Sequence, residues 1–198
     1  MPTLCIFGVS IKDDSICQLR LDFISFELDG GSAPNKPCDR DAIDIFSGDS
    51  TGLGNGRLCG KNTGQHLYIP IENTRARPMI RVTTDGRLGT DDSFTSNGYL
   101  FRIKITQIDC TSNDENLRRL RAPEGCLQYF IERQGSLSSF NWDPTSLRQY
   151  VPDQHYSMCF RKSPSDCRLI LTRSRTAPPF STSVGRAAGS PGKRRLSC

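Results

Sequence analysis

Cys38-Asp39-Arg40-Asp41-Ala42-Ile43-Asp44-Ile45-Phe46-Ser47-Gly48-Asp49-Ser50-Thr51-Gly52-Leu53-Gly54-Asn55-Gly56-Arg57-Leu58-Cys59-Gly60 is the stretch that decides the fold class. Between Ala42 and Phe46 apolar and polar residues alternate, so one face of an extended strand is apolar and the other polar. The glycine-rich segment 47–56 reverses the chain, and a cysteine lies at each end of the stretch. That arrangement suits a disulfide across neighbouring strands of a small secreted β-domain. Just upstream, Leu19-Arg20-Leu21-Asp22-Phe23-Ile24-Ser25-Phe26-Glu27-Leu28-Asp29 again has apolar residues at nearly every second position.

The same alternation recurs along residues 1–110. Strands are expected at Ile16–Phe23, Ala42–Phe46, His66–Ile71, Met79–Thr83 and Tyr99–Ile108, separated by breakers such as Asp29-Gly30-Gly31, Asp85-Gly86 and Asn97-Gly98. Helical periodicity is absent from this half, which predicts an all-β sandwich or barrel. Residues 111–125 turn polar and end in Ala122-Pro123-Glu124-Gly125, as a linker would. Arg118-Arg119-Leu120-Arg121 inside it has the Arg-x-x-Arg spacing of proprotein-convertase sites, although a solvated basic linker is the favoured account.

Nine cysteines in 198 residues point to an oxidising compartment. No Cys-x-x-Cys pair is present, and His66 and His155 lack metal-ligand spacing, which argues against structural zinc. No run approaches the apolar length of a membrane span. The net charge of +5 is misleading, because residues 173–198 carry six basic residues and no acid, leaving the first 172 residues at −1. A basic tail is not a basic domain, so nucleic-acid binding is not expected. After Thr172 the composition is rich in Ser, Pro, Gly, Ala and Arg without periodicity, and residues 173–198 are expected to be a disordered tail. Met1–Val9 is too short for a secretory leader and contains Cys5, so the chain is read as a fragment.

Residues 126–172 form a second unit, with Cys126-Leu127-Gln128-Tyr129-Phe130, Gly135-Ser136-Leu137-Ser138-Ser139-Phe140-Asn141-Trp142, Tyr156-Ser157-Met158-Cys159 and Cys167-Arg168-Leu169-Ile170-Leu171. Its order of a cysteine, a short hydrophilic insert, a cysteine and a strand repeats Cys5 followed by Cys17-Gln18-Leu19-Arg20-Leu21. Together with Cys59-Gly60-Lys61-Asn62-Thr63-Gly64-Gln65-His66 and Ile105-Thr106-Gln107-Ile108-Asp109-Cys110, these stretches resemble the CUB domain family. The wording is similar to secreted arthropod proteins with paired modules. The resemblance implies a jelly-roll β-sandwich over 1–110, a linker over 111–125, a partial second module over 126–172, and the tail over 173–198.

The resemblance also implies two bridges, Cys38–Cys59 and Cys126–Cys159. Cys17–Cys110 is a third expected pair, joining the first long strand to the end of the last, and Cys5, Cys167 and Cys198 are left over. Many members of the family hold Ca²⁺ with three acids, which here correspond to Asp29, Asp41 and Asp85. Asp29 departs from the glutamate usual at its position, and the longer late loop makes Asp91 or Asp92 an alternative to Asp85. A hard cation takes several oxygen ligands, and loops at one end of a sandwich can supply them. That the three are ordinary turn aspartates stays equally open.

Other chemistry is not supported. Gly52–Gly56 is followed by a strand-like segment rather than a helix, Gly60-Lys61-Asn62-Thr63 interrupts the P-loop pattern, and no Gly-x-Ser-x-Gly elbow or glycosylation sequon occurs. The expectation is a non-catalytic, secreted, extracellular module that binds a protein partner and uses calcium. The alternatives are the non-catalytic arm of a secreted protease, or a matrix component linked by disulfides through its spare cysteines.

Overall fold

The computed structural model describes residues 3–29, 31–33, 36–46, 57–71, 77–85, 100–142, 154–162 and 169–172. In chain order the elements are β1 (Thr3–Gly8), β2 (Ile16–Glu27), β3 (Gly31–Ala33), β4 (Lys36–Pro37), β5 (Ala42–Phe46) and β6 (Arg57–Leu58). They continue with β7 (His66–Pro70), β8 (Met79–Thr84), β9 (Leu100–Asp109), α1 (Glu115–Leu120), β10 (Gln128–Phe130) and β11 (Met158–Phe160). One sheet has the order β1-β8-β5-β6 and another β7-β2-β9, all antiparallel. β3 pairs with β4, and β10 lies parallel to β11. The described residues are thus mostly β, with two main antiparallel sheets packed as a sandwich.

The alternation seen in the sequence creates the core between those sheets. Leu19, Leu21 and Phe23 of β2 point inward and meet Ile43 and Ile45 of β5, Leu67 and Ile69 of β7, and Ile80 and Val82 of β8. A strict period of two would then bury Ser25. Instead the register of β2 against β9 shifts between Phe23 and Ser25, leaving Ile24 exposed and returning Phe26 and then Leu28 to the interior. A bulge with one extra residue does this, since it moves every later side chain to the other face.

β1 was not anticipated, because a six-residue segment exposed along nearly its whole length shows no buried face to read. α1 lies inside the expected linker. Asp114 caps it by accepting from the Asn116 N–H at 2.8 Å, and Arg118 and Arg119 occupy its last turn, where positive charge suits the helix dipole.

Residues 126–142 and 154–161 belong to the same compact unit as residues 3–110. Leu127 and Phe140 lie in the core with the sandwich strands, and Phe140 is completely buried. Burying a phenylalanine contributes about 2–3 kcal/mol. A second apolar cluster of Tyr68, Ile108, Ala122 and Tyr129 brings the outer face of β7 and β9 together with the 122–131 segment. Polar pairs fix the docking: the Tyr68 N–H donates to the Leu127 carbonyl at 2.8 Å, and the Gln128 side-chain amide donates to the Gln65 Oε1 at 2.8 Å and the His66 carbonyl at 3.0 Å. Asn141 adopts positive φ, and its amide occupies the space where a Cβ on Gly60 would stand. The remaining unit, 143–147 and 162–198, is described only at Lys162 and residues 169–172, where Leu169, Ile170 and Leu171 are exposed.

Candidate functional site

The three expected acids come together at one end of the sandwich. Residue Ala42 of β5 pairs with Thr83 of β8, so Asp41, just before β5, sits beside Asp85, just after β8. Asp29 arrives there from the end of β2 through the buried Leu28. The Asp41 carboxylate accepts the backbone N–H of Asp85 at 3.0 Å on one oxygen and that of Asp29 at 3.3 Å on the other. It thereby ties together the ends of β2 and β8.

Cys38 bonds to Cys59 with a Cα separation of 5.4 Å, and the pair forms a small buried cluster with Ala42. Cys38 has positive φ, a sharp turn held beside the bridge. The staple therefore lies directly behind the Asp41 loop. Cys17 bonds to Cys110 and Cys126 to Cys159, each at 5.7 Å between Cα atoms. Cys5 is an exposed free thiol among the described residues, whereas Cys167 and Cys198 lie outside them.

Asp41 is fully buried, and burial pushes its carboxyl above the ordinary carboxylate value. The two backbone N–H donors pull the other way, and the charges of Asp85 and Asp29 add to the upward shift. Arg40 is a cation at hand, and it pairs with Asp29 at 3.1 Å.

The three carboxylates are neighbours without being ligands as they stand. Among the described residues no group of three His, Cys, Asp or Glu side chains is arranged to hold a metal. Both Asp41 oxygens are engaged by N–H groups and Asp29 faces Arg40. Asp91 and Asp92 lie outside the described residues. The donor chemistry is nevertheless of the kind a hard cation takes, because three carboxylate-bearing residues meet around one buried aspartate.

A second acid, within β5 itself, escaped the sequence reading. Asp44 is 2% exposed and lies opposite Arg57 of β6 and Arg81 of β8 in the strand register. Arg57 donates to both of its oxygens at 2.7 and 3.3 Å, and Arg81 to one at 2.9 Å. The signal was present only as an aspartate on β5 and two distant arginines, and cross-strand register is needed to join them.

Of the histidines, His66 of β7 is buried and its Nε2 lies 3.1 Å from the Tyr129 carbonyl and 3.2 Å from the Tyr129 N–H. Burial and the nearby Arg20 lower its pKa. It packs edge-on against Tyr68 and Phe130, as a structural side chain joining β7 to β10. His155 is exposed. No helix among the described residues is long and apolar enough to cross a membrane.

Residues 123–196 match the family model of the animal CUB domain. The match begins inside α1's trailing segment, takes in all of 126–172 and continues through most of the stretch whose composition reads as a tail. CUB domains are in general non-catalytic extracellular modules that bind proteins, and the three disulfides are in keeping with an extracellular chain. Neither the curated proteins nor the solved structures give a match.

Proposed function

We propose that this chain is a secreted, non-catalytic module that captures a protein partner through the loop cluster of Asp29, Asp41 and Asp85, with Ca²⁺ as its cofactor. The observation that carries this is the state of Asp41: buried, ionisable, held by two backbone N–H groups among the described residues, and flanked by two more acids. Asp41 is the fixed ligand, since its position is set by the Cys38–Cys59 staple and by the ends of β2 and β8. Asp29 and Asp85 are the adjustable ones, and Asp29 exchanges Arg40 for the metal. Bound Ca²⁺ adds positive charge beside Asp41 and orders the three loops into one docking face. A lysine or arginine from the partner then approaches the outer carboxylate oxygens.

The test is thermal unfolding of the full chain in Ca²⁺ and in chelator. Metal at a hundredfold excess over its dissociation constant stabilises a folded protein by about 2.7 kcal/mol. A rise in Tm that Asp41→Asn abolishes supports the proposal. An equal Tm with and without the metal overturns the calcium-dependent form of it.

The exposed thiol of Cys5 favours a second reading, a matrix component cross-linked through disulfides. Ladders on non-reducing gels that vanish in Cys5→Ser would favour it. A single monomer band would remove it.

A further inference from the structure

Four arginines of the same compact unit gather around α1 and β11. Arg118 and Arg119 lie in the last turn of α1, Arg121 caps that helix, and Arg161 follows β11. Among the described residues none of the four forms an ion pair, whereas Arg20, Arg40, Arg57 and Arg81 each hold an aspartate. Arg118, Arg119 and Arg161 line one cleft of about 440 Å³ together with the buried Tyr129. Arg118 and Arg121 line a second cleft of about 260 Å³. Arg118 is common to both, so the two form adjoining subsites.

The scaffold beneath these side chains is fixed. Ala122 is buried, and its N–H and carbonyl are both held by the Gln18 side chain at 3.0 and 2.8 Å. The Arg161 N–H donates to the Phe130 carbonyl at 2.8 Å, next to the Cys126–Cys159 bridge. Two acids against four arginines leave the clefts with net positive charge. Asp109 is occupied by the N–H and hydroxyl of Thr111 and the N–H of Ser112, at 2.8, 2.9 and 3.0 Å. Glu115 is the carboxylate lining the larger cleft.

We propose that Arg118, Arg119, Arg121 and Arg161 form a binding site for a sulfated polysaccharide. Guanidinium groups match sulfate and carboxylate oxygens with paired hydrogen bonds, and their mutual repulsion is relieved when an anion enters. Two adjoining subsites suit a ligand that repeats its charges along a chain better than one small anion. The disulfides place the chain in the compartment where sulfated polysaccharides occur. This site shares no residue with the Asp41 cluster, and its success or failure leaves the calcium proposal untouched.

The experiment is fluorescence polarisation of a labelled heparin oligosaccharide with the full chain over a series of salt concentrations. Arg118→Ala with Arg161→Ala should weaken binding at least ~10-fold and lower the salt slope by roughly 2, about one for each contact removed. Arg118→Lys with Arg161→Lys should recover only part of the affinity, since charge returns without the fork. Glu115→Gln should tighten binding about 2-fold, and neutralising the exposed Arg102 and Lys104 of β9 should change nothing. Because residues 173–198 hold six basic residues, a variant with those six neutralised is measured alongside, and it should retain the arginine-dependent binding. Three results overturn the proposal: no binding, binding unaffected by the Arg118/Arg161 change, or binding abolished by neutralising the tail alone. Competition by inorganic sulfate at equal charge as effective as the oligosaccharide would also overturn it, in favour of a simple anion pocket.

Discussion

Two buried aspartates three residues apart, Asp41 just before β5 and Asp44 within it, have opposite surroundings. Asp44, in the middle of the β8-β5-β6 region, is met by Arg57 and Arg81 from the strands on either side. Asp41, at the loop end, is met by two backbone N–H groups and by two further acids. Burial alone therefore does not fix a carboxylate's surroundings; the two differ in the sign of their neighbours. A buried carboxylate already neutralised by fixed arginines has no call for a ligand. One held in place by dipoles beside like charges is where, on the proposed reading, a divalent cation would supply the counter-charge.

The largest expected effect comes from breaking the Asp44 side of that contrast. Replacing Arg57 and Arg81 together by Ala leaves a carboxylate buried and unpaired, and should cost roughly 3–4 kcal/mol in urea unfolding. Calcium binding should survive in whatever fraction remains folded. Opening the Cys38–Cys59 bridge with paired Ser substitutions comes next. On the chain-entropy model it costs about 3 kcal/mol, and it should loosen the Asp41 loop while leaving the Asp44–arginine pairs in place. Amide hydrogen exchange would show this as faster exchange at the Asp29 and Asp85 N–H groups than at β5 and β8.

Single carboxylate-to-amide changes sharpen the comparison further. In chelator, Asp44→Asn should destabilise by about 2 kcal/mol because it removes charge-assisted bonds to two arginines. Asp41→Asn should change stability by less than about 1 kcal/mol, since one lost N–H bond is offset by relief of repulsion. Equal losses from the two would erase the distinction drawn between them.

The smallest effect is a pH dependence. The native pKa of His66 lies below its ordinary value, so the unfolded chain takes up this proton first as pH falls. The stability contributed by the neutral buried ring is complete above about pH 6.5 and declines below it, down to the lowered native value. Asp41 acts in the opposite sense: its native pKa is raised, so acidification above the ordinary carboxylate range relieves its burial. His66→Gln should flatten the loss of unfolding midpoint between about pH 7 and about pH 5, and Asp41→Asn should not.

The strands were legible because their alternation is local. Ala42–Phe46 was read with its observed bounds, and Ile16–Phe23 fell short of Glu27 only because the bulge after Phe23 breaks the period there. β1 carried no such signal, since its edge position leaves Leu4, Ile6 and Phe7 all exposed. α1 is a single capped turn and a half in a polar segment, too short for periodicity to speak. The packing of Leu127 and Phe140 into the sandwich core is decided by partners outside their own segment, from Leu19 to Val82 and Tyr156, and nothing in 126–142 alone shows what its apolar side chains meet. At the site, Asp29, Asp41 and Asp85 came from family resemblance; the proximity of their loops follows from strand register. The arginine pair on Asp44 and the Arg118–Arg161 clefts exist only in three dimensions.

The most direct test of the central claim is calorimetric titration of Ca²⁺ into the full chain, with Asp41→Asn and Asp44→Asn as paired variants, each first shown to be folded by circular dichroism. A saturable heat at one site, lost in Asp41→Asn and retained in Asp44→Asn, is the predicted result. No heat in the parent chain, or a heat that Asp41→Asn leaves unchanged, would contradict it and return Asp29, Asp41 and Asp85 to the role of turn residues.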